Sequence, residues 1–301
     1  MKKIAHILKS AAPHWVGNGF HVNNLFIYEQ AAEALSPFLM LDYGAPRQFA
    51  PSTQPRGVGQ HPHRGFETVT VAYQGEIEHH DSDGNRGVIG PGDVQWMTAA
   101  SGIVHEEWLN PPFNARGGVL EMAQLWVNLP AKDKMAPPRY QEIVNAQIPA
   151  VTAEGGARVR VIAGEFSDAD SDVYSRARGP AVTYSPINVW DVQMSASQSL
   201  DVTVKAGDTT LFALLKGSVR VNDADNVAAP ALVILDRAGT QARLQALADA
   251  SVLVLNGEPL NEPVVGYGPF VMNTQDEIMQ AMQDFQGGKF VRSRADSAAT
   301  A

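Results

Sequence analysis

The segment QHPHRGFETVTVAYQGEIEHH, residues 60–80, decides the fold because it places two histidines directly before a long alternating run. Successive side chains of a β-strand point to opposite faces. The run therefore predicts a strand with Phe66 and Thr68 on one face and Glu67 on the other. Gly75 interrupts the alternation and marks the end of this strand.

Turn-forming sequences separate further strand candidates downstream of this segment. DSDGNRG at 81–87 contains an Asp-Gly pair that favours a hairpin tip, and Pro91 with Gly92 forms a second turn signal. GVLEMAQLWVN at 118–128 predicts another strand. Short strands separated by such turns are typical of an all-β sandwich or a small barrel.

Two histidine-containing pairs share the same spacing. His61 and His63 are separated by one residue, so both imidazoles would point to one face of a strand. SGIVHEEW repeats this spacing with His105 and Glu107. If the two strands are adjacent, three imidazoles and one carboxylate converge, a set that suits iron, nickel, manganese or zinc. A single HxH pair is also common on protein surfaces, and it is the joint presence of both pairs that favours a metal site.

Other polar residues of this region compete for roles at such a site. Glu67 follows His63 by four residues, so it is either an alternative carboxylate ligand or a strand residue in a salt bridge. His79 and His80 are adjacent and cannot both face inward, and we expect His79 to face solvent. Metal-bound imidazoles are oriented by hydrogen bonds to their other ring nitrogen. Gln95, Glu67 and His80 are candidates for that role.

The composition excludes several classes of function. Cysteine is absent, so disulfides, thiolate metal sites and cysteine nucleophiles do not occur. The formal net charge of −9, without a basic patch, argues against direct nucleic-acid binding. The chain has no apolar stretch long enough for a membrane span, and its first residues make a poor signal peptide. These features predict a soluble, cytoplasmic protein.

The length of 301 residues predicts two domains. The segment LPAKDKMAPPRYQEI, 129–143, is rich in charge and proline, which is typical of a domain exit. We therefore expect a first domain at 1–145, a second at 146–290 and a flexible tail at 291–301.

Two features of the second half complete this division. AYQGEIEHHDSDG and LLKGSVRVNDADN share a pattern that aligns Gly75 with Gly217, which arises from duplication or from chance. All eight histidines lie at or before residue 105, so histidine chemistry belongs to the first half. Near the end, Thr274 and Glu277 form a capping box that predicts a helix ending before Gly287.

The chain resembles the pirin family of the cupin superfamily in the strings HPHRGFETVT, GVIGPGDVQWMTAASGIVHEE, QLWVNLP and GYGPFVMNTQDEI. The resemblance implies a bicupin: two antiparallel jelly-roll β-barrels packed face to face, with a short C-terminal helix and a second barrel without metal. It implies one divalent metal, most often Fe(II), with nickel, manganese, zinc or copper as alternatives. The family's ligands correspond to His61, His63, His105 and Glu107, and this pattern selects Glu107 rather than Glu67 as the carboxylate.

Two functions follow from the resemblance. Bacterial pirins resemble quercetin 2,3-dioxygenases, which implies an enzyme that opens a flavonol or a similar enolisable aromatic with O2, with Glu107 as the catalytic carboxylate. The animal protein implies instead a metal-dependent regulatory protein that contacts a metabolic enzyme or a transcription factor. A roomy, apolar cavity at the metal would favour the enzyme, whereas an exposed patch beside it would favour a protein partner. We expect a monomer.

Overall fold

The computed structural model describes residues 1–168 and 176–291, and β-strands dominate both ranges. The prediction of an all-β fold with a short C-terminal helix is confirmed. The chain divides into two compact units. The N-terminal unit consists of Pro13–Val22, Phe38–Asn145 and the described residues from Asn261 onward. The C-terminal unit consists of Met1–Ala12, Asn23–Pro37 and Ala146–Leu260.

The N-terminal unit is built on a seven-stranded and a four-stranded antiparallel sheet. The larger sheet has the order β12-β9-β6-β11-β4-β3-β2. Its strands are β2 (His14–Val16), β3 (Phe20–Ile27), β4 (Phe38–Phe49), β6 (Phe66–Gln74), β9 (Val94–Thr98), β11 (Gly118–Asn128) and β12 (Arg139–Ile143). The residues of β3 from Asn23 onward are assigned to the C-terminal unit. The smaller sheet has the order β5-β10-β7-β8. Its strands are β5 (Gly57–His63), β7 (Ile77–Asp81), β8 (Arg86–Ile89) and β10 (Ile103–Leu109).

Apolar side chains from both sheets of the N-terminal unit pack into one core. Val22 and Ala72 come from the larger sheet, and Ile77, Ile89 and Leu109 come from the smaller one. Burying a large apolar side chain stabilises a fold by about 1.5–3 kcal/mol, so the alternating patterns hold the two sheets together. The histidine pairs lie on the smaller sheet, on β5 and β10.

The C-terminal unit repeats this plan. Its seven-stranded sheet has the order β1-β22-β19-β24-β17-β14-β13. The strands are β1 (Ile4–Lys9), β13 (Ala150–Thr152), β14 (Arg158–Ala163), β17 (Ile187–Met194), β19 (Thr209–Lys216), β22 (Ala231–Leu235) and β24 (Ala250–Gly257). The four-stranded sheet has the order β18-β23-β20-β21. Its strands are β18 (Ser199–Thr203), β20 (Ser218–Val221), β21 (Asp225–Ala228) and β23 (Gln241–Ala246).

Shorter elements complete the two units. The C-terminal unit contains helix α1 (Tyr28–Leu35) and the strand pair β15 (Glu165–Ser167) and β16 (Arg176–Arg178). The N-terminal unit contains helix α2 (Pro111–Arg116), the strand pair β25 (Val265–Tyr267) and β26 (Phe270–Met272), and helix α3 (Gln275–Gln286). Short 3-10 helices occupy residues 131–133 and 145–147. Within the described ranges, no helix has the length and apolar character needed to cross a bilayer.

The equivalence of Gly75 and Gly217 is supported by the strand orders. The central strands β9-β6-β11-β4 correspond to β22-β19-β24-β17, and the two smaller sheets match in the same way. Gly75 lies between β6 and β7 with a φ of 84°, and Gly217 lies between β19 and β20 with a φ of 77°. Both positions need a left-handed backbone that glycine adopts without strain. The structure therefore favours duplication over chance.

The units do not follow chain order. Residues 1–12 belong to the C-terminal unit because β1 pairs with β22, and α3 belongs to the N-terminal unit, where it packs beside β26. These long-range contacts differ from the expected division at 1–145 and 146–290, since local composition carries no signal for them. The expected tail at 291–301 lies outside the described residues except for Val291.

Helix α3 begins with the predicted capping box. The Thr274 hydroxyl accepts a hydrogen bond from the Glu277 backbone N–H, and the Glu277 carboxylate accepts one from the Thr274 N–H. Ile278 and Ala281 are buried beside β26, whereas Phe285 is 44% exposed.

A buried lysine ties the C-terminal segment to the strands that carry the histidines. The Lys134 ammonium donates to the carbonyls of Gly65 and Val271, at 2.7 and 2.9 Å, and to the Asn128 side-chain oxygen at 2.6 Å. Lys134 is buried, so water does not compete for these acceptors. One side chain thus connects the turn between β5 and β6, the end of β11 and β26.

Replacing Lys134 with methionine should destabilise the protein by about 3 kcal/mol, because three buried oxygens lose their donor. Urea denaturation would measure the change. The exposed Lys132 provides the control, and Lys132→Met should alter stability by less than about 0.5 kcal/mol. Equal stability of the two variants would show that the buried ammonium does not hold these elements together.

Candidate metal centre

Three histidines converge where β5 pairs with β10. His105 lies directly opposite His61 in the antiparallel register, and Ile103 lies opposite His63. One ligand nitrogen from each of His61, His63 and His105 lies within 4.8 Å of the other two. In the part of the chain that the structure describes, no other group of three histidine, cysteine or acidic residues meets this condition. The structure therefore brings together three of the four predicted ligands.

Hydrogen bonds at the outer ring nitrogens orient two of these imidazoles. His61 Nδ1 lies 2.8 Å from the Gly59 carbonyl, and His63 Nδ1 lies 3.4 Å from the Pro269 carbonyl. A carbonyl oxygen only accepts, so each Nδ1 carries the hydrogen and each Nε2 carries the lone pair. His105 Nε2 is buried and has no hydrogen-bond partner among the described residues. These features fit a divalent metal, which binds neutral imidazole nitrogens.

Burial keeps the inner histidines neutral. It lowers the pKa of His63 to about 3, and the nearby His61 adds to the effect. Burial also lowers the pKa of His105 well below its usual range, with His63 and His61 acting in the same direction. Protons and metal ions compete for the same lone pairs, so these lowered values favour metal binding at neutral pH.

Glu107 is buried beside the triad, but its carboxylate does not belong to the group of mutually close ligand atoms. Three side chains hold that carboxylate from the larger sheet. Oε1 accepts from Gln95 Nε2 at 3.2 Å and from the Thr70 hydroxyl at 3.4 Å, and Oε2 accepts from Gln124 Nε2 at 3.0 Å. These donors fix the carboxylate in an acceptor role between the two sheets.

The donors belong to a polar row that crosses four strands. Asp42 on β4 pairs with Gln124 on β11, Gln124 pairs with Thr70 on β6, and Thr70 pairs with Gln95 on β9. Residues paired in this way share one face of a sheet. Sequence inspection singled out Gln95 but missed Asp42, Gln124 and Thr70 as members of the site, because their common face depends on the register of the sheet.

A cavity of about 380 Å³ opens onto the site. His61, His63 and Glu107 line it together with Asp42 and Gln124. Its remaining walls are mostly apolar, formed by Val16, Phe20, Val22, Met40, Val58, Met122 and Trp126, and His14 also lines it. The volume and lining are typical of pockets that bind small organic molecules.

The expectation that His79 faces solvent is wrong. His79 is fully buried, and its Nδ1 lies 3.4 Å from His105 Nδ1. His80 takes the outer position, between the carboxylates of Glu78 at 2.8 Å and Glu106 at 3.2 Å. The pairing of β7 with β10 decides this, since His79 lies opposite Glu107. Adjacent histidines give no local signal of which one faces inward.

The three candidates for orienting the site residues have different outcomes. Gln95 lies inside, where its amide contacts Glu107 and His79 at 3.2 and 3.3 Å. His80 lies on the outer face of its sheet. Glu67 accepts from the Thr98 hydroxyl at 2.6 Å and, at an odd spacing from Thr70, points to the opposite face of β6. Burial raises the pKa of Glu67 to about 7. Neither Glu67 nor His80 contacts the triad.

Family models match both halves of the chain. The model described as Pirin matches residues 19–127, and the model described as Pirin C-terminal cupin domain matches residues 189–291. Together they cover the strands that carry the triad and most of the C-terminal unit.

Individual relatives agree with these matches. A protein of Pseudomonas aeruginosa named "Putative quercetin 2,3-dioxygenase PA2418" is 52% identical over 294 residues, covering 97% of this chain and 100% of the relative. A crystal structure of quercetin 2,3-dioxygenase from Acinetobacter baumannii has a TM-score of 0.91 and 51% identity, covering 96% and 98% of the two chains. The Escherichia coli pirin YhhW in complex with nickel(II) has a TM-score of 0.60 and 19% identity, covering 84% and 99%, and shares the fold.

Because folding keeps His63 and His105 neutral, the metal-free protein should lose stability as the pH falls. Their folded pKa values lie below the unfolded value of about 6.5, so the unfolded state binds more protons and stability falls as pH drops below about 6.5. Each histidine contributes a slope of up to about 1.4 kcal/mol per pH unit. Glu67 has the opposite sign, since its raised pKa makes the folded state bind the extra proton below about 7.

Comparing the wild-type protein with a His63→Gln, His105→Gln double variant separates the effect of the two histidines on stability from that of Glu67. Urea unfolding between pH 7.5 and 5 should show a smaller loss of stability in the double variant, because Glu67 is common to both proteins. Parallel curves would contradict the neutral state of the two histidines.

Proposed function

The chain belongs to the pirin family, and from this membership and the site geometry we propose that it is a metal-dependent dioxygenase of the quercetin 2,3-dioxygenase type. Its substrate would be a flavonol or a similar enolisable aromatic, opened by O2. The observation that carries the proposal is the apolar cavity of about 380 Å³ that opens directly onto His61, His63 and Glu107.

The proposed ligands are His61, His63, His105 and Glu107. Three neutral imidazoles and a carboxylate suit a divalent first-row metal, and we propose Fe(II), with nickel, manganese, zinc or copper able to use the same donors. The convergence of the three imidazoles supports this set. Glu107 is included because it lies on β10 two residues after His105 and lines the same cavity as His61 and His63. When bound, the metal supplies Lewis acidity that lowers the pKa of a coordinating hydroxyl.

The cavity walls support a flat, mostly apolar substrate with a few oxygen functions. Phe20, Met122 and Trp126 provide apolar surface and keep bulk water from the reacting ring. The polar lining of the cavity includes Asp42 and Gln124, which lie in the same sheet row. A flavonol matches this arrangement, since its adjacent hydroxyl and keto oxygens can face the histidines while its rings occupy the apolar part.

Glu107 would also accept the proton of the substrate hydroxyl, in a state in which its carboxylate is not bound to the metal. A general base has to lie within hydrogen-bond reach of the proton it takes, and Glu107 lines the cavity where that hydroxyl would enter. Gln95, Thr70 and Gln124 keep its carboxylate aimed in one direction. The deprotonated ring then reacts with O2, the ring opens and carbon monoxide leaves.

The alternative, a regulatory protein that acts through contacts with a protein partner, needs the same metal. It does not need a cavity sized for a small molecule. The cavity therefore favours turnover, and the regulatory function becomes one outcome of the test.

Iron-loaded protein should consume quercetin in the presence of O2, with loss of the flavonol absorbance and release of carbon monoxide. Anaerobic samples should show neither. Glu107→Gln should lower kcat/KM for quercetin by about 100-fold or more, the usual effect of losing a general base. Glu106→Gln is the matched control, because Glu106 contacts His80 on the outer face, and its activity should stay within about twofold.

Metal content and turnover together identify which part of the proposal fails. His105→Ala should abolish metal retention, measured by elemental analysis of purified protein. If wild-type protein retains iron but shows no O2-dependent loss of quercetin, the dioxygenase proposal is wrong and the regulatory function is favoured.

A further inference from the structure

A chain of buried side chains leads away from the triad, from His105 through His79 to Asp81. His105 Nδ1 lies 3.4 Å from His79 Nδ1, and His79 Nε2 lies 3.1 Å from Asp81 Oδ2. The side chains of His79 and Asp81 are fully buried. Of these three residues, only His105 belongs to the histidine triad, so the burial of His79 and Asp81 needs a separate explanation.

The acceptor at one end sets the direction of every hydrogen bond in this chain. Asp81 Oδ2 only accepts, so His79 Nε2 carries the hydrogen. Gln95 Nε2, whose other contact is the Glu107 carboxylate, donates to His79 Nδ1 at 3.3 Å, so this Nδ1 is an acceptor and can also receive a hydrogen bond from His105 Nδ1. His105 therefore carries its hydrogen on Nδ1 and presents a lone pair at Nε2, the buried atom without a partner.

Further contacts hold the Asp81 carboxylate and the His79 ring in place. Asp81 Oδ1 accepts from the backbone N–H groups of Asp83 and Asn85, each at 3.0 Å. Although burial opposes ionisation of Asp81, the hydrogen bonds from His79 and Asn85 lower its pKa. The His79 ring stacks on Tyr140 with a centroid distance of 4.8 Å and an interplanar angle of 17°. The ring and carboxylate are thus fixed before any ligand binds.

We propose that Asp81 and His79 are positioning residues that lock His105 in its metal-binding tautomer. A carboxylate that bonds directly to a ligand histidine is a common arrangement. Here a second histidine lies between the two and transmits the same constraint. The inference rests on the metal site of the proposed function, and it does not depend on which substrate is turned over.

Asp81→Asn should reverse the direction of the hydrogen bonds that run from residue 81 through His79 to His105. The amide oxygen would keep the two backbone N–H bonds, which leaves the NH2 group facing His79 Nε2. His79 must then accept at Nε2 and carry its hydrogen on Nδ1. His105 in turn must accept at Nδ1 and carry its hydrogen on Nε2, where it blocks metal binding. The wrong-tautomer effect of an Asp→Asn change is known from catalytic triads.

The test measures Ni(II) affinity by competition with a chromophoric chelator, with urea unfolding as a separate measure of the fold. Asp81→Asn should weaken Ni(II) binding by about 10- to 100-fold, the usual effect of losing a partner of a ligand histidine. His79→Phe keeps the ring but removes the acceptor and should have a similar effect. His79→Asn places an amide oxygen near the position of Nδ1 and should recover most of the affinity.

His80→Gln is the control, because His80 lies on the opposite face and contacts Glu78 and Glu106. It should bind Ni(II) as the wild type does. A folded Asp81→Asn protein with wild-type affinity would overturn the inference, and so would a His79→Asn protein as weak as His79→Phe. The comparison of His79→Asn with His79→Phe tests the positioning role even if Asp81→Asn does not fold. The expected affinities without quercetin turnover would support the positioning role and overturn only the reaction, whereas wild-type protein that binds no Ni(II) would overturn the metal site and this inference together.

Discussion

The antiparallel register between β5 and β10 is the constraint on which the site depends. It sets His61 opposite His105 and places His63 on the same side, so three side chains from two strands share one point. A shift of one residue would place the β5 histidines and His105 on opposite faces of the sheet. The register shift between His105 and Glu107 adds a local irregularity at the position where the strand delivers its carboxylate. Bulges of this kind re-aim side chains next to active sites.

The shared face of His61 and His63 could be predicted from the sequence because their spacing is local. His61 and His63 are two residues apart, and a strand carries such residues on one face whatever surrounds it. The capping box of α3 is local in the same way. The orientation of His79 could not be predicted, because it depends on the pairing of β7 with β10, and the face taken by Glu67 depends equally on the order of strands. The assignment of Met1–Ala12 to the C-terminal unit likewise depends on a long-range pairing, that of β1 with β22.

The two units show how one strand plan supports different interiors. In the C-terminal unit, β18 and β23 occupy the places of β5 and β10 but contain no histidine. Asp201 and Arg243 lie opposite each other on these strands as a partly exposed ion pair at 3.7 Å. The interior is a large apolar cluster that includes Trp190 and Phe212. The N-terminal unit instead keeps a polar row beneath Glu107. Its polar interior would cost stability unless its groups are paired, which is the pattern of a site maintained for function.

Binding of one metal ion through the Nε2 atoms of His61, His63 and His105 would explain why the three side chains converge. Anomalous diffraction from crystals of the nickel-loaded protein, recorded on both sides of the nickel absorption edge, tests it most directly. One strong peak is expected among the three Nε2 atoms, at about 2.0–2.1 Å from each, the usual distance for imidazole ligands. A peak bound by other residues, or no peak in protein that contains nickel in solution, would contradict it.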